Sequence, residues 1–289
     1  MVRILAASAL LLAGCSGRAA ADTRWAVTEG MENPESAYVD ADTGFLFVSQ
    51  VAGDGAAKDG NGRISKLTLD GKVLAADWVT GLNGPKGLRS HKGTLWAADI
   101  DQIVGIDIAS GKVTQRAAAG GAKFLNDVAC APDGTVYVSD TLASRIYQFR
   151  DGKVTVLAEG EDMEYPNGLL WEDGVLVVAG WGKPEADFST KVPGRLFKLD
   201  PATKKKTLVT PAPAGNLDGL ESDGRGGYVV TDWTAGKVLH VAPDGKICVL
   251  MQHGKGTADH AWLPARKLLI LPHMLENRVA AYDLSKRVP

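Results

Sequence analysis

An all-β chain folded as a six-bladed β-propeller is what the sequence predicts, and three observations carry that prediction. Short alternating strands bounded by Gly, Asp, Asn and Pro fill the chain from Trp25 to its end, with no amphipathic run of helical length. A four-strand unit recurs every forty to fifty residues or so, the period of a propeller blade. Two columns of polar residues keep their register through all the recurrences.

The composition is compatible with one large folded domain. The 289 residues are 45% hydrophobic and 23% charged, so a buried core can form and wholesale disorder is excluded. Lys plus Arg number 32 against 34 for Asp plus Glu, a formal charge of -2 that gives no reason to bind a polyanion, and no nucleic-acid role is expected. The three cysteines form no CxxC pair, which rules out structural zinc of the usual spacing.

The first element is an address. Arg3, the apolar run Ile4 to Leu12 and the small residues that follow have the layout of an export signal over residues 1–14, and the run is too short to span a bilayer. Leu12-Ala13-Gly14-Cys15 resembles a bacterial lipobox, which implies lipidation of Cys15 and a membrane-anchored lipoprotein. Ser16 after the cysteine implies, by analogy with Gram-negative sorting, the periplasmic face of the outer membrane. Cleavage after Ala19-Ala20-Ala21 would instead leave a soluble periplasmic protein. A tether over 15–23 then leads to the propeller, expected over 24–289. Cys130 falls on an apparent inner strand and Cys248 on an outer one, and both are expected to be buried thiols without a catalytic role.

The clearest blade runs from Asn126 through the turn Pro132-Asp133-Gly134, the strands Thr135 to Asp140 and Arg145 to Arg150, and the turn Asp151-Gly152 to Lys153–Leu157. Laid over the chain, it places inner strands at Glu35, Lys86, Asn126, Asn167, Asp218 and Asp259. The ends of the second strands fall at Gln50, Asp99, Asp140, Gly180, Asp232 and His273. The last unit stops after its third strand, Arg278 to Tyr282, and an orphan strand, Trp25 to Thr28, precedes the first. That strand is expected to complete the last blade and remove an exposed sheet edge.

In a blade whose strands alternate down and up, the start of the first strand and the end of the second share one face, so both columns ring one mouth of the channel. The insertions Val51 to Asn61 and Trp181 to Pro193 follow second strands and should overhang that mouth, where long loops on a rigid scaffold supply selectivity. Asp54 to Gly62 lacks a calcium-loop spacing and is read as flexible. The inner column converges carboxylate and amide oxygens, the donors a hard cation prefers, although Asn167-Gly168 and Asp218-Gly219 are also ordinary turn dipeptides. No GxSxG, HExxH, GxxxxGK or helix-opening GxGxxG occurs.

The stretches Asn33-Pro34-Glu35-Ser36, Leu125-Asn126-Asp127, Pro166-Asn167-Gly168-Leu169 and Leu217-Asp218-Gly219-Leu220, with Gly227 to Asp232, resemble the SMP-30/gluconolactonase family. These are six-bladed propellers related to the strictosidine synthase-like and paraoxonase propellers. The resemblance implies a divalent cation, calcium first and magnesium, manganese or zinc as alternatives, on Glu35, Asn167 and Asp218, with Asn126 helping to bind metal or substrate. It also implies lactonase chemistry, in which a polarised carbonyl is attacked by water, with Asp218 as a candidate base and Asp259 or His273 as competitors from outside the ligand shell.

Lys86 departs from the family pattern, and its ammonium could orient an anionic substrate, pair with Glu35 or Asp259, or take the cation's place. The first-blade motif also departs, since Glu35 is followed by Ser36-Ala37-Tyr38 rather than Gly-Pro and an aromatic. Asp140, Asp232 and Trp181 join Asn126 and Lys86 as candidate contacts to a small-molecule substrate. The competing function is a non-catalytic ligand- or protein-binding propeller, a tethered sensor or scaffold.

Overall fold

The computed structural model describes residues 21–288. The signal at 1–14, Cys15 and most of the 15–23 tether lie outside the described residues.

Six four-stranded antiparallel sheets form, each of strands that are consecutive in the chain except at the closure and in blade 4, where a two-stranded hairpin is inserted between the second and third strands. Blade 1 comprises Pro34–Val39, Leu46–Gln50, Gly62–Leu67 and Val73–Leu82, and blade 2 comprises Pro85–His91, Thr94–Asp99, Gln102–Asp107 and Val113–Ala118. Blade 3 comprises Leu125–Cys130, Val136–Asp140, Arg145–Arg150 and Lys153–Glu159, and blade 4 comprises Pro166–Glu172, Val175–Gly180, Leu196–Leu199 and Lys206–Leu208. Blade 5 comprises Leu217–Ser222, Tyr228–Asp232, Lys237–Val241 and Ile247–Gln252. Blade 6 runs Ala261–Leu263, Leu268–His273 and Arg278–Asp283, and its outer edge is the N-terminal strand Asp22–Val27, which pairs antiparallel with Arg278–Asp283. The strand begins at Asp22, two residues before the expected boundary at 24.

The core is distributed between the blades. Strand residues pointing out of each sheet meet the next sheet, giving one apolar cluster per interface. Phe47, Ile64 and Leu82 of blade 1 pack on Leu88, Val104 and Ile106 of blade 2, and Leu46, Val48 and Leu67 pack on Ile270, Val279 and Ala281 of blade 6. The seam between blades 6 and 1 also has polar bonds: Ala37 N donates to Asp259 O, Asp259 N donates to Glu35 O, and Ser36 Oγ donates to Asp259 Oδ2 at 2.5 Å.

Two of the dipeptides that also read as turns are not turns. Gly168 and Gly219 lie in inner strands without positive φ, and Gly87 of blade 2 occupies the same register. A Cβ on Gly168 would collide with the Asp218 carbonyl, one on Gly87 with Asp127, and one on Gly219 would come within 2.6 Å of Asp259 Oδ1 and His260 Nδ1. Glycine is required here because inner strands converge toward the axis and touch. By contrast, Gly134 in Pro132-Asp133-Gly134 has φ 91 and a true turn geometry.

The cysteines lie on the expected strands but are half-buried rather than buried. Cys130 is a free thiol, which burial pushes up to about 12, so it is a poor nucleophile. Cys248 is not free.

Candidate functional site

The inner column reaches one mouth of the channel because each inner strand begins there. Glu35, Lys86, Asn126, Asn167 and Asp218 line a single cavity of about 250 Å³, and Trp181 joins them from the end of the second strand of blade 4. Both insertions contribute, Gly55 from the first and Asp187 and Phe188 from the second, whose segments Gly182–Pro184 and Thr190–Pro193 pair as a hairpin. In the Asp54–Gly62 stretch Asp54 accepts from Ala56 N, Lys58 pairs with Asp101, and Gly55 O accepts from Lys86.

The floor is rich in oxygen and poor in partners. Glu35 Oε2 and Asn167 Oδ1 are buried with no hydrogen-bond partner. Burial, reinforced by the charges of Asp218 and Asp259, holds the Glu35 carboxyl well above its ordinary range, against the pull of Lys86. Burial and the Asp127 charge push Asp218 up to about 8. Carboxylates crowded in this way are starved of positive charge. Among the described residues no three His, Cys, Asp or Glu side chains gather as a ligand set. An ion would therefore rest on two carboxylates completed by amide oxygens, a donor set suited to a hard cation. The residues fit the group.

Lys86 does not supply the missing charge directly. Its Nζ donates to the carbonyls of Gly55 and Gly84 at 3.0 Å each and lies 4.2 Å from the Phe124 ring centroid. No ion pair links it to Glu35 or Asp259, and burial, opposed by Glu35 and Asp99, lowers its pKa.

The outer column has a different task. Asp140 accepts from the backbone of Lys123, Phe124 and Ala143, and Asp232 from that of Ala235. Neither lines the cavity; they staple the loops that enter it. His273 is also outside the cavity, with Nε2 2.8 Å from Tyr282 Oη and a ring stacked edge-on against His253. Burial and Arg278 push it down to about 3. Asp259 likewise does not line the cavity and is occupied in the blade 6–1 seam.

Sequence reasoning missed the walls. Phe124, Thr141, Phe188, Trp233, Lys255 and Met274 also line the cavity. A signal existed: the residue after each second-strand end is Thr141, Trp181, Trp233 or Met274 in blades 3 to 6, a third column one step beyond the second.

With this geometry in hand, comparison with known proteins shows two things. The family model for the SMP-30/Gluconolactonase/LRE-like region matches residues 61–257. A gluconolactonase from Xanthomonas campestris aligns in structure with a TM-score of 0.62 at 18% identity, covering 90% of this chain and 86% of that one. Virginiamycin B lyase from Staphylococcus aureus, in a catalytically inactive form with quinupristin, aligns with a TM-score of 0.58 at 13% identity, covering 90% of this chain and 98% of that one. At these identities the neighbours share the fold. No curated protein matches the chain in sequence.

Proposed function

The chain belongs to the SMP-30/gluconolactonase/LRE-like family, and from that premise we propose that it is an exported, metal-dependent hydrolase of small cyclic esters, a lactonase. The observation that carries the reading is the convergence of Glu35, Asn126, Asn167 and Asp218 on one cavity, with Glu35 Oε2 and Asn167 Oδ1 buried and unpartnered. Those four residues would hold the divalent cation, calcium by the preference of a hard ion for oxygen. Bound there, such an ion would supply Lewis-acid polarisation of an ester carbonyl.

The chain's own groups have separable tasks. Asp218, on the same floor, would take a proton from the attacking water once ionised beside the cation. Asn126 offers an amide N–H to an oxygen of the substrate from the same floor. The aromatic walls exclude bulk water from the reacting atoms. In the balanced reaction, water oxygen bonds to the acyl carbon, the acyl–oxygen ring bond breaks, and the ring oxygen leaves as a hydroxyl. One water is consumed and a hydroxy acid is released. Export with a lipid anchor on Cys15, at the periplasmic face of the outer membrane, belongs to the same proposal and is supported by the charge, apolar run and lipobox-like end of residues 1–15.

The test is hydrolysis of δ-valerolactone followed by acid release, with added calcium and with a chelator. Magnesium, manganese and zinc serve as competing ions. Turnover in calcium, lost on chelation and reduced about a hundredfold or more in Asp218→Asn, is expected. Thermal stabilisation by calcium without turnover of any lactone would instead favour a ligand-binding propeller. No response to cation or lactone would remove the reading.

A further inference from the structure

We propose that the cavity selects lactones carrying an aryl or extended apolar substituent and rejects polyhydroxylated sugar lactones. The inference rests on the lactonase reading for the reaction, but not for the binding preference.

Two aromatic pairs wall the cavity. Phe124 and Phe188 lie 5.8 Å apart between ring centroids, and Trp181 and Trp233 lie 6.0 Å apart. Met274 adds a polarisable thioether to the same lining. These faces come from blades 3 to 6 and from the tip of the blade 4 hairpin, so several independent elements present apolar surface to one space.

The polar groups above the floor are engaged or stand at the exposed rim, where Asp187 accepts from Ser189. Lys86 spends two of its three donors on Gly55 and Gly84, with Nζ over the Phe124 ring. Thr141 Oγ1 donates to Pro166 O. Lys255 lies over the Trp233 ring and is exposed at the rim. Above the floor, the buried donor without a partner among the described residues is the Trp181 indole N–H, while on the floor Asn126 keeps its amide for the ring carbonyl side of the ligand.

A sugar lactone bears a hydroxyl on most ring carbons, and each needs a donor or acceptor when it leaves water. This wall offers few that are buried and unengaged, the Trp181 indole N–H foremost. Every hydroxyl buried unpaired should lower affinity by about tenfold or more. An aryl group loses nothing polar on entry and gains contact with the rings, while one ligand oxygen can satisfy Trp181.

The test uses two non-hydrolysable lactams in the presence of calcium, 6-phenylpiperidin-2-one and glucono-δ-lactam, titrated by calorimetry against the whole protein. The phenyl lactam is expected to bind at least about tenfold more tightly than the sugar lactam. Phe188→Ser, at a hairpin tip that is 39% exposed and so should not disturb folding, is expected to weaken the phenyl lactam about fivefold or more and leave the sugar lactam unchanged. Equal or tighter binding of the sugar lactam, or no binding of either, overturns the proposal. Tight phenyl lactam binding with no hydrolysis of 6-phenyloxan-2-one sustains the selectivity and removes the lactonase reading. Hydrolysis of glucono-δ-lactone with kcat/KM equal to or above that of 6-phenyloxan-2-one overturns the selectivity and sustains the lactonase.

Discussion

Arg89 Nη1 donates to Glu221 Oε1 at 2.7 Å, and because blades 2 and 5 stand opposite each other in a ring of six, that bond crosses the channel. Both residues lie toward the ends of inner strands that start at the cavity, so the pair closes the channel below the site. The Arg89 guanidinium also lies 5.1 Å from the Tyr38 ring centroid, and the nearby Glu221 charge keeps it protonated despite burial.

Removing one member leaves the other charge without its partner in a channel where the two side chains are only 15% and 17% exposed. Arg89→Ala should therefore cost about 3 kcal/mol of stability. The double replacement Arg89→Met with Glu221→Leu should recover most of that loss, because it removes both charges together. Urea midpoints of the two variants test this. A double variant no more stable than the single one would show that packing, not charge pairing, is at stake.

The inner-strand glycines make a second prediction. Gly168→Ala should cost about 2–3 kcal/mol, because its Cβ must displace the Asp218 carbonyl and backbone cannot swing aside as a side chain can. Gly152→Ala is the control. That turn glycine has φ 74 and open space around its Cβ position, so the substitution should cost about 1 kcal/mol from backbone conformation alone. Any calcium-induced rise in Tm should shrink in Gly168→Ala and persist in Gly152→Ala. Similar losses from the two substitutions would argue against close inter-blade contact at Gly168.

These glycines also show what was legible in the sequence. The repeat register placed Glu35, Lys86, Asn126, Asn167 and Asp218 on one cavity, because position along an inner strand fixes distance from the mouth. It could not tell a side chain that faces the cavity from one that turns back to cap a loop. Asp140 and Asp232 have the right register, yet they accept from backbone N–H groups beside them. Phe188 lies in an insertion outside the repeated unit, so no column could reveal it. Gly168 resembled part of a turn because a composition rule is blind to the neighbouring blade, which is what demands a bare Cα.

Acid should destabilise the fold through His260. This ring is 1% exposed, neither nitrogen has a partner, and burial with help from the Arg89 charge pushes it down to about 3. An unfolded histidine titrates near 6.5, so between about 3 and 6.5 the unfolded chain binds the extra proton. The stability contributed by neutral His260 is complete above about 6.5 and is lost as pH falls toward 3. His260→Leu should gain on the wild type by up to about 1.4 kcal/mol for each pH unit below 6.5. Parallel stability profiles for the two proteins between pH 7 and 5 would refute this assignment.

The floor of the cavity should trade stability for cation binding. Without a cation, Glu35 and Asp218 are buried carboxyls that repel each other, and two of the floor's oxygens have no donor. Burial holds Asp218 protonated up to about 8, where an unfolded aspartate would ionise, and the amide keeps the shape without that cost. Asp218→Asn should thus raise the stability of the chelator-treated protein by on the order of 1 kcal/mol, as relief of functional strain commonly does. The same substitution should abolish the stabilisation that calcium gives the wild type, since one of the two carboxylates expected to bind it is gone. Thermal melts of both proteins, in chelator and in calcium, separate the two effects. The expected pattern is a crossing: the variant melts above the wild type in chelator and below it in calcium. A variant less stable in both media would mean that the Asp218 carboxyl supports the fold, and a variant that still responds to calcium would place the ion elsewhere.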